Sequence, residues 1–245
     1  LIVEITENGY LPIVLNSNES EQVEHGNLER LIHQKVDGIF ISLIKNTVST
    51  DYLTKIMTSS CSLIAFSNTS KIITCNKVVF NDKEIIKQVT ENLINKGSRK
   101  IAFIRKSLTS QNSINQFIGF RKAHQKHEIS IDDQLVIFSE EGGLSEGYNI
   151  AKELFNKGEK IDGFISYNDT LAIGAMMFYN RHGFSIPNDI RFIGQENSKV
   201  GNFFTPKLTS IEQNFSLMAE KIMLLFLKEQ ADLKQSKTVY FKREE

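Results

Sequence analysis

Short apolar runs alternate with amphipathic stretches along the whole chain, and that alternation leaves few folds open. Apolar runs of strand length fall at 11–15, 36–43, 62–67, 77–80, 100–105, 134–138, 161–167, 190–194 and 237–241. Helical spacing falls between them, at 20–35, 49–58, 82–96, 113–126, 144–157, 170–181 and 215–228. The stretch 82–96 is the clearest. Ile85, Ile86, Val89, Leu93 and Ile94 repeat at three- and four-residue intervals, and Gly97 closes the helix. Strands and helices in strict alternation predict an α/β fold of parallel sheets covered by helices on both faces.

The phrase VDGIFIS at 36–42 returns as IDGFIS at 161–166, each time after an amphipathic helix. Asp-Gly is a common connector from helix to strand, so chance is one reading. The other is two similar lobes, each a doubly wound sheet of about six strands. Ligands of such sheets bind beyond the carboxyl ends of the strands, and two lobes facing each other would turn that crevice into a cleft. The second phrase runs straight into Tyr167-Asn168-Asp169 and then a helix. Asp169 is the expected N-cap of that helix, and Asn168, both donor and acceptor, the expected ligand contact.

With 29 Lys+Arg against 29 Asp+Glu, the chain lacks the basic excess of a surface that grips DNA by itself. Mean hydropathy is −0.22, and no run approaches the roughly 20 apolar residues of a membrane span. Two cysteines, Cys61 and Cys75, do not make a stapled secreted scaffold. The opening Leu1-Ile2-Val3-Glu4 shows no basic leader, which points to the cytoplasm. No Walker loop, Gly-x-Gly-x-x-Gly or Gly-x-Ser-x-Gly motif occurs. His25, His33, His124, His127 and His182 are scattered. His124 and His127, without a Cys or Glu at ligand spacing, read as a solvated helix face. Glu140 and Glu141 are paired carboxylates in a turn. No enzyme, metal or cofactor is expected.

NKGSRKIAFI (95–104), GFRKA (119–123), IDGFISYNDTLAIGAMMFYNRHGFSIPNDIRFIG (161–194) and TPKLTSIEQNF (205–215) occur in this order. Together they resemble the regulatory domain of lac-repressor/galactose-repressor-type bacterial transcription regulators. NGYLPIVLNSNES, VDGIFIS and VVFND extend the likeness over nearly the whole chain. The resemblance implies a two-lobed periplasmic-binding-protein-like fold. Its expected division is 1–80 with 210–232 as the N-terminal lobe and 81–209 with 233–245 as the C-terminal lobe. It further implies a small-molecule effector (a sugar or sugar acid), a homodimer, and operator DNA held by a helix-turn-helix and hinge helix absent from this chain. On the same grounds the first strand of the lobe is expected before Leu1 and the true terminus shortly after Glu245. Met176, Met177 and Phe178, or Ile222, Leu224, Leu225 and Phe226, are candidates for the dimer surface, with burial in the core as the other reading. A periplasmic solute-binding protein of a sugar transporter shares the fold and is the alternative.

Carried over by resemblance, the effector site would include Ser42, Ser67, Phe80, Gln116, Asn168, Glu196 and Gln213. Three of these depart from the family pattern: Gln116 stands where an Arg is usual, Ser67 where an Asp is frequent, and Glu196 in place of an Asp. An amide cannot supply the charged fork of a guanidinium. Arg105, at another strand end, either takes over as the cationic contact for an acidic ligand or is a rim charge in solvent.

Overall fold

The computed structural model describes residues 1–44, 61–70, 73–106 and 110–231, together with the terminal strand Thr238–Phe241. The expected helix at 49–58 lies outside the described residues. In chain order the elements are α1 (Ile2–Glu7), α2 (Glu21–His33), β1 (Gly38–Ile41), β2 (Ser62–Phe66), β3 (Asn76–Phe80), α3 (Asp82–Asn95), β4 (Ile101–Arg105), α4 (Gln111–Lys126), β5 (Val136–Phe138), α5 (Leu144–Asn156), β6 (Gly163–Ser166), α6 (Asp169–Arg181), β7 (Arg191–Gln195), α7 (Lys199–Phe203), β8 (Thr209–Ile211), α8 (Phe215–Gln230) and β9 (Thr238–Phe241). The chain divides into two compact units. One comprises Leu1–Asn81, Thr109–Asn112 and Asn214–Lys242; the other comprises Asp82–Leu108 and Ser113–Gln213.

The first unit holds a sheet in the order β1-β2-β3-β9, every pairing parallel. Both faces are apolar, as side chains alternating across a doubly covered sheet require. Ile39, Ile41, Leu63 and Ala65 join Leu28 of α2 on one side. Ile64, Val78 and Phe80 join Met218, Ile222, Met223 and Phe226 of α8 on the other. Ser20 caps α2 by accepting from the Val23 N–H at 3.4 Å. β9 pairs with β3, Thr238 opposite Lys77, so the terminal strand stands in the first unit and not in the second lobe to which 233–245 was assigned.

Residues 11–15 form no strand. The segment is apolar, yet Leu11 is 88% exposed and Val14 71% exposed. A strand exists only as part of a ladder, and no described strand pairs with this segment. A groove of about 890 Å³ lies alongside, lined in part by Leu11, Ile13, Leu15, Gly38 and Phe40.

The second unit holds a five-stranded parallel sheet in the order β5-β4-β6-β7-β8. Four described strands in one sheet and five in the other replace the expected six or so per lobe. Ala102, Ile104, Phe164 and Phe192 face α5 and α6. Ile101, Phe103, Ile165 and Ile211 face α3 and α4. The α5–α6 contact is a backbone contact made by two glycines. A Cβ on Gly147 would lie 2.1 Å from the Leu171 carbonyl oxygen, and one on Gly174 2.1 Å from that of Leu144.

Met176 and Phe178 are buried inside this unit and Met177 packs on the same cluster, so that run is core and not a dimer surface. Ile222 and Phe226 are likewise core, and Leu225 packs against them, while Leu224 is exposed. Cys61 and Cys75 are unbridged. Burial pushes the Cys61 thiol up to about 11, away from reactivity. Among the described residues no helix is long and apolar enough to cross a membrane.

Gly147→Ala should destabilise the second unit by about 1–3 kcal/mol, because the carbonyl it meets cannot move away cheaply. Gly26→Ala, inside α2 with open space around it, should stabilise the first by about 0.5–1 kcal/mol. Urea unfolding followed by circular dichroism measures both.

Candidate functional site

Seven of the eight residues anticipated from sequence stand at the carboxyl ends of strands. In the first unit Ser42 follows β1 and is exposed, Ser67 follows β2 and is half-buried, and Phe80 ends β3. Phe80 is only 5% exposed and meets Phe215 edge-on at 5.7 Å, so it is chiefly a core residue beneath α8. In the second unit Arg105 ends β4, Asn168 lies two residues beyond β6, Glu196 follows β7, and Gln213 lies two residues beyond β8. Gln116 projects from α4. Ser67 and Glu196 both adopt positive φ, +54° and +99°. That region is unfavourable for side chains other than glycine, and residues held there gather at functional strand ends.

Within the second unit the structure brings Arg105, Gln116 and Asn168 to one end of one sheet. Ser113 and Gln116 lie three apart on α4 and so share a helix face. Ser113 holds Arg105: Nε donates to its hydroxyl at 3.4 Å and Nη2 to its carbonyl at 3.2 Å. Gln116 Nε2 donates to Gln195 Oε1 at 3.1 Å, and Gln195 Nε2 donates to the Ser166 carbonyl at 3.1 Å. This buried amide chain ties α4 to β7 and β6. Sequence reasoning missed Gln195 and Ser166, because each is a polar residue at the last position of its strand and only the tertiary pairing gives it meaning. The rim-charge reading of Arg105 fails: the residue is 5% exposed, and burial lowers the guanidinium's pKa.

Asn168, not Asp169, is the N-cap of α6. Its Oδ1 accepts from the Leu171 N–H at 2.9 Å, while its Nδ2 donates to the Gly142 carbonyl at 3.0 Å. Asp169 is fully buried and accepts from the Ser198 N–H at 2.6 Å and from the Ser210 hydroxyl, which anchors α7 and β8 to α6. Tyr167, between β6 and α6, shares a 3.4 Å contact with the Ser139 hydroxyl. Burial raises its pKa, helped by the charges of Glu146 and Glu196. Glu146 itself accepts from Ser139, Gly142 and the Glu140 N–H.

His124 corrects the expectation of a solvated face. It is 3% exposed, packs against Phe120 with the rings tilted 51° and their centroids 4.2 Å apart, and lies 3.0 Å from the Phe120 carbonyl through Nδ1. Burial lowers its pKa, so it is a neutral core histidine. The spacing of Phe120 and His124 on one helix face was the available signal. Among the described residues no group of three or more His, Cys, Asp or Glu is placed to hold a metal ion.

The family model described as a periplasmic binding protein-like domain matches residues 90–239, more than half of the chain. The chain belongs to that family. It is 26% identical over 204 residues to catabolite control protein A of Staphylococcus xylosus, covering 83% of this chain and 60% of that protein. It is 26% identical over 213 residues to the arabinose metabolism transcriptional repressor of Geobacillus stearothermophilus, covering 84% of this chain and 58% of that one. The chain thus spans about three-fifths of these relatives' length. The fold matches that of the transcriptional repressor AscG of Escherichia coli with a TM-score of 0.85 at 21% identity, over 99% of this chain and 88% of that one.

Asn168→Ala removes both the cap and the tie to Gly142. It should cost about 0.5–2 kcal/mol, read as a lowered thermal midpoint of the second unit.

Proposed function

We propose that this chain is the effector-sensing and dimerising part of a bacterial transcription regulator, and that a small polar molecule such as a sugar or sugar derivative binds at the carboxyl end of its five-stranded sheet. The observation that carries the reading is the polar cluster of Arg105, Ser113, Gln116, Gln195 and Ser166. It stands where ligands of parallel α/β sheets bind, beside two apolar core clusters. The names of the relatives, repressors and a catabolite control protein, favour a regulator over a transport protein or an enzyme. Net charge is +0, which supports assigning operator contact to parts of the regulator other than this chain. A cytoplasmic location follows from the same reading.

The ligand acts by binding one conformational state of the domain better than another, since equal affinity would shift nothing. Glu196 and Gln213, beyond the ends of β7 and β8 in the same unit, are the further polar contacts this reading assigns. Phe80 and Asn168 belong to it mainly as supports, one packed under α8 and the other capping α6.

A thermal-shift screen over sugars, sugar acids, sugar phosphates, nucleosides and purines tests the proposal. A ligand at a hundred times its dissociation constant adds about 2.7 kcal/mol, roughly 5–10 °C for a chain of this size. A hit in the panel is expected; a panel that moves nothing would contradict the reading.

A further inference from the structure

Arg105 stands at a special point of the second sheet. The chain goes from β4 outward to β5 on one side, then returns to place β6 on the other side of β4. The strand order therefore reverses between β4 and β6, and a doubly wound sheet opens its ligand crevice at that reversal, beyond the carboxyl ends. Arg105 is the last residue of β4, and Ile104 lies in register with Ser166, the last residue of β6. The guanidinium thus sits at the lip of the crevice.

Its surroundings are unusual for a buried cation. Two aromatic rings flank it, Phe117 with the guanidinium carbon 4.4 Å from the ring centroid and Phe138 at 5.3 Å. Of the five N–H groups of an arginine, Ser113 takes two. Among the described residues no carboxylate forms an ion pair with it, and no acceptor receives the other three. Burying a charge without an opposite partner is costly, and native proteins rarely do so without a use for it. The nearby carboxylate of Glu146 is held by three donors of its own. Lys106, the next residue, is exposed and lies 5.9 Å from the Tyr167 ring centroid, adding a second positive charge on the same lip.

We infer that Arg105 is an oxyanion anchor, and that the small ligand of this domain carries a carboxylate or phosphate group which the guanidinium fork receives. The inference rests on the effector reading above and narrows it to acidic compounds. The planar fork, with Phe117 and Phe138 beside it and two of its N–H groups held by Ser113, is restrained for bidentate contact. Gln116 cannot make that contact, because a neutral amide has no charged fork and one of its two N–H groups is given to Gln195.

The test uses matched neutral and acidic compounds: glucose, gluconate and glucose 6-phosphate; galactose and galacturonate; ribose and ribose 5-phosphate; and inorganic phosphate. Binding is measured by calorimetry on the chain, on Arg105→Met and on Arg105→Lys. At least one acidic compound should bind, with gluconate or galacturonate marking carboxylate recognition and the sugar phosphates marking phosphate recognition. Arg105→Met should weaken it roughly ten- to hundred-fold. Arg105→Lys, which keeps the charge and loses the fork, should weaken it less. Without ligand, Arg105→Met should melt at the same or a higher temperature, since a buried unpaired charge is replaced by an apolar chain. Binding confined to neutral sugars would overturn the anchor and leave the effector reading standing. An empty panel would remove both. Unchanged acid affinity in Arg105→Met, or a marked drop in its ligand-free midpoint, would assign the guanidinium a structural role and overturn the proposal.

Discussion

The residues of the central strands are committed to packing on both faces, and that commitment decides where polar chemistry can occur. In β4 every residue from Ile101 to Arg105 is buried, and in β6 every residue from Gly163 to Ser166. Helices seal both sides, so in the second sheet buried polar side chains gather where a strand stops and its last backbone groups need partners. The buried polar residues Arg105, Ser139, Ser166 and Gln195 all stand at or just beyond the final position of a strand. The positive φ angles of Ser67 and Glu196 belong to the same ends.

Two helices on opposite faces of the second sheet keep that end in order. α4 reaches the strand ends through Ser113 and Gln116, which fix one side chain of β4 and one of β7. On the other face, α6 is started by Asn168, and the first residue of the helix, Asp169, draws in Ser198 and Ser210. Gly194 is required there, because a Cβ would lie 2.1 Å from the Asp169 carboxylate. The Gly147 and Gly174 contacts press α5 against α6, so the loop that receives the Asn168 amide sits close to the end of β6. These are positional devices, and they account for several residues that look functional in the sequence.

The helices and most strands were legible because their apolar periodicity reports burial directly. All five apolar residues read on α3 are in the core, and the Asp-Gly phrases stand at the starts of β1 and β6. Asp162 adds a reason of its own, accepting from the backbone N–H groups of Arg99 and Lys100 where β4 begins. Residues 11–15 misled because an apolar run specifies a strand only when a neighbouring strand pairs with it. α7 and β8, of five and three residues, carry too little periodicity to be seen. At the candidate site the positions at strand ends were readable, but their partners were not. Nothing in the sequence links Gln116 to Gln195 or separates the roles of Asn168 and Asp169, since both depend on which backbone groups tertiary packing brings within reach.

The central claim is that this chain takes its ligand at the carboxyl end of the five-stranded sheet, and hydrogen–deuterium exchange tests it most directly. The exchange of the chain is compared with and without the compound that raises its thermal midpoint most. The account predicts slowed exchange in the segments that follow β4, β6 and β7, including Lys106, Tyr167 and Glu196, with the amino-terminal ends of those strands unchanged. Protection concentrated instead along the groove lined by Leu11, Ile13 and Phe40, or at the amino-terminal ends of the strands, would contradict it.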